Sequence, residues 1–281
     1  MPDGAALKAL VKDHWEAEAC GTRYGVTADR AQYFEEISAT RYRLEPYIPQ
    51  FADFQSAVNK SVLEIGVGAG TDFHNWCAFA DHATGVDLTL KAISITGERL
   101  AVNSIPHEKY SLVATDAEHL PFVDNSFDIV YSWGVLHHTP DTRRAFQEAF
   151  RVLRPGGQLK TMIYHHPSWT GAMLYMRYAL ARGRLRTPMK QIVYDHLESP
   201  GTKTYTGNEA NQMLSEVGFT DVRLMTRLGP GDLLKIKRSL KYERTFFRLV
   251  WNVYPRWFIR LMGNRYGLSM LITATKSSMK A

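Results

Sequence analysis

Glu64, Gly66, Gly68, Gly70 and Asp87 are residue types that, at this spacing, can hold a nucleotide. The run Val62-Leu63-Glu64-Ile65 reads as a buried strand passing straight into the turn Gly66-Val67-Gly68-Ala69-Gly70. Three glycines at alternate positions carry no Cβ, so the backbone can come close to a ligand. A helical pattern begins at about Thr71, and its first amides can face an anionic group. Gly85-Val86-Asp87-Leu88 reads as a second short strand ending in an acid, which can accept hydrogen bonds from both hydroxyls of a ribose. The dinucleotide fingerprint G-x-G-x-x-G is not met, because Thr71 stands at its sixth position and the third glycine comes one residue early.

A second set of groups suits proton transfer. His137-His138 follow a fourth apolar run, and His165-His166 follow a fifth that ends in Tyr164. Histidine titrates near neutral pH, which makes His137, His138 and His165 candidate bases. The histidine spacing lacks a closed ligand set, so no metal is expected. His14 to Gly25 mixes aromatic, basic and glycine residues around a helix end expected at Gly21, and Tyr24 there is a candidate for closing over a ligand.

These residues need a scaffold that brings them to one edge. Apolar runs suggest strands at 61–66, 83–88, 110–115, 127–132 and 157–164, with helices at 71–81, 89–103 and 141–152 between them. Such alternation predicts a parallel sheet with helices on both faces. Ligands of these sheets bind beyond the carboxyl ends of the strands, where the glycine turn, Asp87 and the two histidine pairs fall. A helix is expected near 5–19, a second after Asp29, one from Ser168-Trp169 to about Arg182, and one over 208–217 capped by Thr206 or Asn208.

The blocks that follow narrow the reading. Asp116-Ala117-Glu118-His119-Leu120-Pro121-Phe122 precedes Ser126 to Trp133, then Val135-Leu136-His137-His138 and Arg151-Val152-Leu153-Arg154-Pro155-Gly156-Gly157. Together with the glycine turn, these resemble the class I S-adenosylmethionine-dependent methyltransferases, in the small-molecule group built around D-A-x-x-L-P-F and L-H-H blocks. The resemblance covers about 60–165 and extends more weakly to strands near 219–228 and 267–276. It implies an α/β, Rossmann-like fold with a mostly parallel seven-stranded sheet. It implies S-adenosyl-L-methionine as cofactor and no metal. Glu64, Gly66, Gly68 and Gly70 are then expected along the methionine part and Asp87 on the ribose. Leu88 is expected under the adenine, Asp116 and Ala117 at its edge, and Trp133 against the cofactor. Val67 departs from the polar or cysteine residue of many relatives. The chain divides into an N-terminal helical cap, 1–58, and a cofactor-binding domain, 59–281, with helical insertions at about 167–205 and 230–266 that would cover the acceptor.

Bulk numbers bound the rest. An apolar share of 45% with 22% charge excludes disorder. No leader-like start and no run of about 18 apolar residues is present, and two cysteines suit a reducing compartment, so a cytoplasmic protein is expected. The net charge of +6 is uneven, with nine basic residues against Glu243 alone between 235 and 265. Arg244, Arg248, Asn252, Arg256 and Arg260 recur every four residues among aromatics, a stripe that fits either a solvated helix face or, through 241–262, peripheral contact with a membrane. The expected reaction is methyl transfer to a small molecule, acidic or lipophilic, on oxygen first and on nitrogen or carbon as alternatives. A lipid or quinone-type acceptor is a second reading. No N-P-P-Y or D-P-P-Y block follows the fourth strand, which argues against nucleic acid. A binding module without transfer activity and a NAD-dependent dehydrogenase remain as competing readings.

Overall fold

The central strands are apolar on both faces because helices cover both. The computed structural model describes residues 4–235 and 254–277. In it, β1 (Ser61–Ile65) sends Leu63 and Ile65 to one side and Val62 to the other, all buried. Its neighbour β4 (Phe127–Trp133) does the same, with Val130 beside Leu63 and with Ile129 and Tyr131 on the side of Val62. With β2 (His82–Asp87), β3 (Tyr110–Ala114), β5 (Leu153–Tyr164), β6 (Phe219–Arg227) and β7 (Ser269–Lys276), they form a seven-stranded sheet of order β3-β2-β1-β4-β5-β7-β6. The first five strands are parallel, and β7 runs antiparallel between β5 and β6.

The helices follow the expected plan. On the N-terminal side are α1 (Gly4–Ala17), α2 (Arg30–Leu44) and α3 (Ile48–Ala52). The crossover helices are α4 (Thr71–Phe79), α5 (Leu90–Val102) and α6 (Thr142–Val152). Phe146 and Ala149 of α6 pack on the Leu63 face, and Phe73, Trp76 and Cys77 of α4 pack on the opposite one. Asp29 caps α2 by accepting from the Gln32 amide. After β5 come α7 (Trp169–Tyr178), α8 (Met189–His196) and α9 (Gly207–Val217), then α10 (Arg256–Leu261) before β7.

Three expectations are corrected. Gly21 does not end α1, which stops at Ala17; with φ of 89° it opens a short 3-10 turn, Thr22–Tyr24. The helix from Trp169 ends at Tyr178, followed by a 3-10 turn and then Gly183 in the left-handed region. The helix α8, set after Pro188, was not anticipated because only Ile192 and Val193 mark its buried face. In the basic stripe, Arg244, Arg248 and Asn252 lie outside the described residues, while Arg256 and Arg260 fall on α10 with Pro255 at its N-cap. Among the described residues no helix is long and apolar enough to cross a membrane.

Candidate active site

Parallel pairing places the ends of β1, β2, β3, β4 and β5 along one edge of the sheet, and a cavity of about 1100 Å³ opens there. Single ligands occupy roughly 300–1,000 Å³, so this volume fits two molecules side by side. One half lies over the strand ends. The other lies under α7 and the segment after α8, with Met173, Leu174, Leu197 and Glu198 on its wall.

The glycine turn forms the floor. Gly66 has φ of 85°, and a Cβ there would come within 2.2 Å of Val135. The turn is fixed by the Gly66 and Val67 amides, which both donate to the Val86 carbonyl. Glu64, only 3% exposed, reaches the cavity wall with its Oε2 lacking any hydrogen-bond partner. Burial, with Asp72 nearby, raises its carboxyl well above the usual range. At the end of β2, Asp87 accepts from the Thr89 amide and hydroxyl and from the Gly68 amide at 3.2 Å. These bonds aim its carboxylate into the cavity, although burial raises its pKa. Leu88, Asp116, Ala117, Trp133 and Tyr24 line the same space. Asp116 is engaged by Lys8 of α1 at 2.5 Å and by the Glu118 amide at 2.9 Å. Burial pushes its carboxyl up, but the Lys8, Glu118 and His119 hydrogen bonds outweigh that and lower it. Trp133 donates to Glu45 at 3.3 Å and is flanked by Tyr47 and Phe51.

These features fit a nucleoside linked to an amino acid. A Cβ-free floor admits backbone contact, Asp87 presents two oxygens, and the orphaned Glu64 oxygen lacks a cation or donor.

The histidines do not converge as expected. His138 lines the cavity, but His137 and His165 do not. His137 is fully buried against His138 and Tyr164, both ring nitrogens are without hydrogen-bond partners, and burial pulls its pKa well below normal. A neutral imidazole packed in this way has no path to an acceptor. His165 turns its Nδ1 to the Gly267 carbonyl at 3.1 Å. Among the described residues the groups that could bind a metal are Asp116, Glu118 and His119, and Lys8 already holds the two acids.

What His138 joins was missed. Its Nδ1 lies 2.8 Å from Ser199 Oγ and 3.1 Å from Thr202 Oγ1, and its Nε2 lies 3.5 Å from Glu198 Oε2. The Tyr164 hydroxyl donates to the same Glu198 oxygen at 2.8 Å. Glu198 has φ of 52°, a left-handed conformation costing on the order of 1 kcal/mol for a non-glycine residue. That backbone turns its side chain, 41% exposed, toward the cavity. Burial raises the Glu198 carboxyl, yet the neighbouring His138 ring and the Tyr164 hydroxyl bring it below the usual value. Tyr164, buried beside this anion, is raised well above the ordinary range and keeps its proton. The Ser199-Pro200-Gly201 sequence marks a turn, but nothing in the sequence ties Glu198 to His138.

The wall under α7 is tied together by Asp232. This fully buried carboxylate accepts from the Thr170 amide and hydroxyl at 2.9 and 2.7 Å. It also takes the Gly229 amide at 2.9 Å and the Leu268 amide at 2.7 Å.

Comparison with known proteins agrees with this geometry. A family model described as a methyltransferase domain matches residues 63–160. A demethylmenaquinone methyltransferase of Paenarthrobacter aurescens is 30% identical over 189 residues, covering 66% of this chain and 71% of that protein. Phosphoethanolamine N-methyltransferase 2 of Caenorhabditis elegans is 32% identical over 146 residues, 52% of this chain, and the match spans only 32% of the relative's length. Among solved structures, geranyl diphosphate C-methyltransferase of Streptomyces coelicolor superposes with a TM-score of 0.63 over 98% of this chain and all of the other, at 15% identity, a likeness of fold alone. A mostly parallel seven-stranded sheet, a glycine turn at its carboxyl edge and the shared methyltransferase core identify the chain as a member of the class I S-adenosylmethionine-dependent methyltransferase family.

Proposed function

We propose that the enzyme methylates a small-molecule acceptor, on oxygen first, with nitrogen or carbon as the alternatives. The observation that carries this is the single cavity in which the strand-end half meets a second half holding Glu198, His138 and Tyr164. S-adenosylmethionine supplies an activated methyl group and a neutral leaving group. The protein's task is to align the acceptor, exclude water and take any proton that leaves.

In this reading Glu64 and the glycine turn hold the methionine part, Asp87 the ribose hydroxyls, Leu88 and Ala117 the adenine faces, and Asp116 its exocyclic amine. Trp133 and Tyr24 close the space from either side. An ionised Glu198 accepts the acceptor's proton. His138 and the Tyr164 hydroxyl hold that carboxylate in place.

A lipid or quinone-type acceptor is the second reading. Met173, Leu174, Met176, Leu197 and Leu234 on the wall favour it, as do Trp257 and Leu261, both more than 70% exposed on α10. The cap over 1–58, the cytoplasmic setting and any membrane contact through 241–262 belong to the same proposal.

Titration calorimetry with S-adenosylmethionine, beside NAD and with Asp87→Ala, tests the cofactor half. Loss of about 100-fold in affinity is expected in the variant, from charge-assisted bonds of roughly 1.5–3 kcal/mol each. A labelled-methyl assay against phenols, carboxylic acids, amines and a quinol then reads the acceptor. Transfer only to amines would overturn the preference for oxygen.

A further inference from the structure

The half of the cavity under α7 sets an apolar wall beside a rim of one charge. Met173, Leu174 and Leu197 lie on the wall, and Arg177 and Arg182 line the same cavity from the last turn of α7 and the 3-10 turn after it. From Lys160 to Tyr194 the chain has no acidic residue. One ring gathers both arginines. Tyr178 is buried beside Ile192 of α8, and the Arg177 and Arg182 guanidiniums lie 5.0 and 5.1 Å from its centroid. His196, the last residue of α8, stacks on that ring at 3.8 Å and also reaches the cavity.

Contact with an aromatic ring orients a guanidinium before any ligand arrives, so less freedom is lost on binding. Two like charges drawn to one ring also repel, and an anion placed between them relieves that repulsion. Arg182, exposed at the rim, forms no salt bridge among the described residues. Glu198 carries the opposite charge on the same wall, but the Tyr164 hydroxyl and His138 hold it toward the end of β5. An acid group is therefore attracted at the end of α7 and repelled at Glu198. A long acceptor with an acid at one end enters in one direction, with its other end at the base.

We propose that the acceptor is an anionic amphiphile: its apolar body lies along Met173, Leu174 and Leu197, its carboxylate or phosphate is received by Arg182 with Arg177, and the group to be methylated points to Glu198. This deepens the functional reading above and rests on it. Acidic and lipophilic then describe two ends of one molecule rather than two alternative substrates. The arginines at the end of α7 select and orient that molecule and take no part in the transfer itself.

The test is calorimetry on the enzyme saturated with S-adenosylhomocysteine, using decanoate, decyl phosphate and neutral decanamide, with acetate and inorganic phosphate as chainless anions. Wild type is compared with Arg182→Met, with the double variant Arg177→Met and Arg182→Met, and with Arg186→Met, an exposed arginine outside the cavity. A thermal melt of each confirms folding. Both decyl anions are expected to bind wild type about tenfold tighter than decanamide, the scale of one partly exposed charge-assisted contact. That preference should shrink as salt rises. Arg182→Met should bring the anions to within about threefold of the amide, the double variant should abolish the difference, and Arg186→Met should keep it whole. A preference that survives the double variant would overturn the proposal. So would decanamide matching the anions in wild type, or the chainless anions matching the decyl ones, which would mark a lone anion site. Failure of every decyl probe on the loaded enzyme would overturn the amphiphile while leaving the cofactor reading intact. If the enzyme bound no S-adenosylhomocysteine, the cofactor reading would fall and this proposal with it.

Discussion

The two halves of the cavity are built by different means. Over the strand ends, position comes from the backbone: the Gly66 turn, the Val86 carbonyl beneath it, and Asp87 aimed by the Gly68 and Thr89 amides. Under α7, position comes from side chains meeting across long separations, with His138, Tyr164 and Glu198 drawn from three segments. A backbone-built site is set by local sequence and reads as a motif. A side-chain-built site is set by how insertions fold back, and it leaves no local mark. The first suits a ligand that stays the same, and the second a ligand that changes between relatives.

The largest effect that can break this comparison is on rate. Glu198→Gln keeps shape and removes the anion, so kcat should fall by about 10²–10⁴, the usual range for a general base, with cofactor affinity unchanged by calorimetry. Equal loss of both would mean that the halves are not separate. A smaller effect lies in proton linkage. The Glu64 carboxyl is raised in the folded protein by burial and Asp72. The folded state therefore favours the protonated acid, a contribution fully present below the unfolded pKa and lost as pH rises through the folded pKa. A ligand ammonium lowers that pKa again, so binding should release up to about one proton at pH values between the pKa with ligand and the pKa without it, read from calorimetry in buffers of different ionisation enthalpy. Glu64→Gln should release none. Smallest is a control remote from both halves. Thr206 and Glu209 form a capping box on α9. Thr206→Ala should cost about 1 kcal/mol in a denaturant melt without touching cofactor affinity or rate.

The contrast also explains what could be read in advance. Strands β1 to β5 and helices α4 to α6 were legible because buried parallel strands are continuous apolar runs broken by glycine or acid turns. Cofactor candidates from Glu64 to Trp133 were legible because each lies at the end of its strand or in the turn that follows, and all of them but Gly70 line the cavity. The histidines were read at the right ends of strands but without direction. His137 and His138 are adjacent, so one faces the packed interior when the other faces the cavity. Glu198 was invisible because its partner His138 is 60 residues away in the chain.

Asp232 gathers four donors from the start of α7, the loop after β6 and the residue before β7. Segments that share one buried acceptor exchange their amides together, because none can open without leaving the carboxylate partly unsatisfied. The wall under α7 is in that sense a cooperative unit hung from a single residue. Apolar side chains on its inner face, Met173 and Leu174 among them, can change without loosening the wall so long as that one suspension point stays intact.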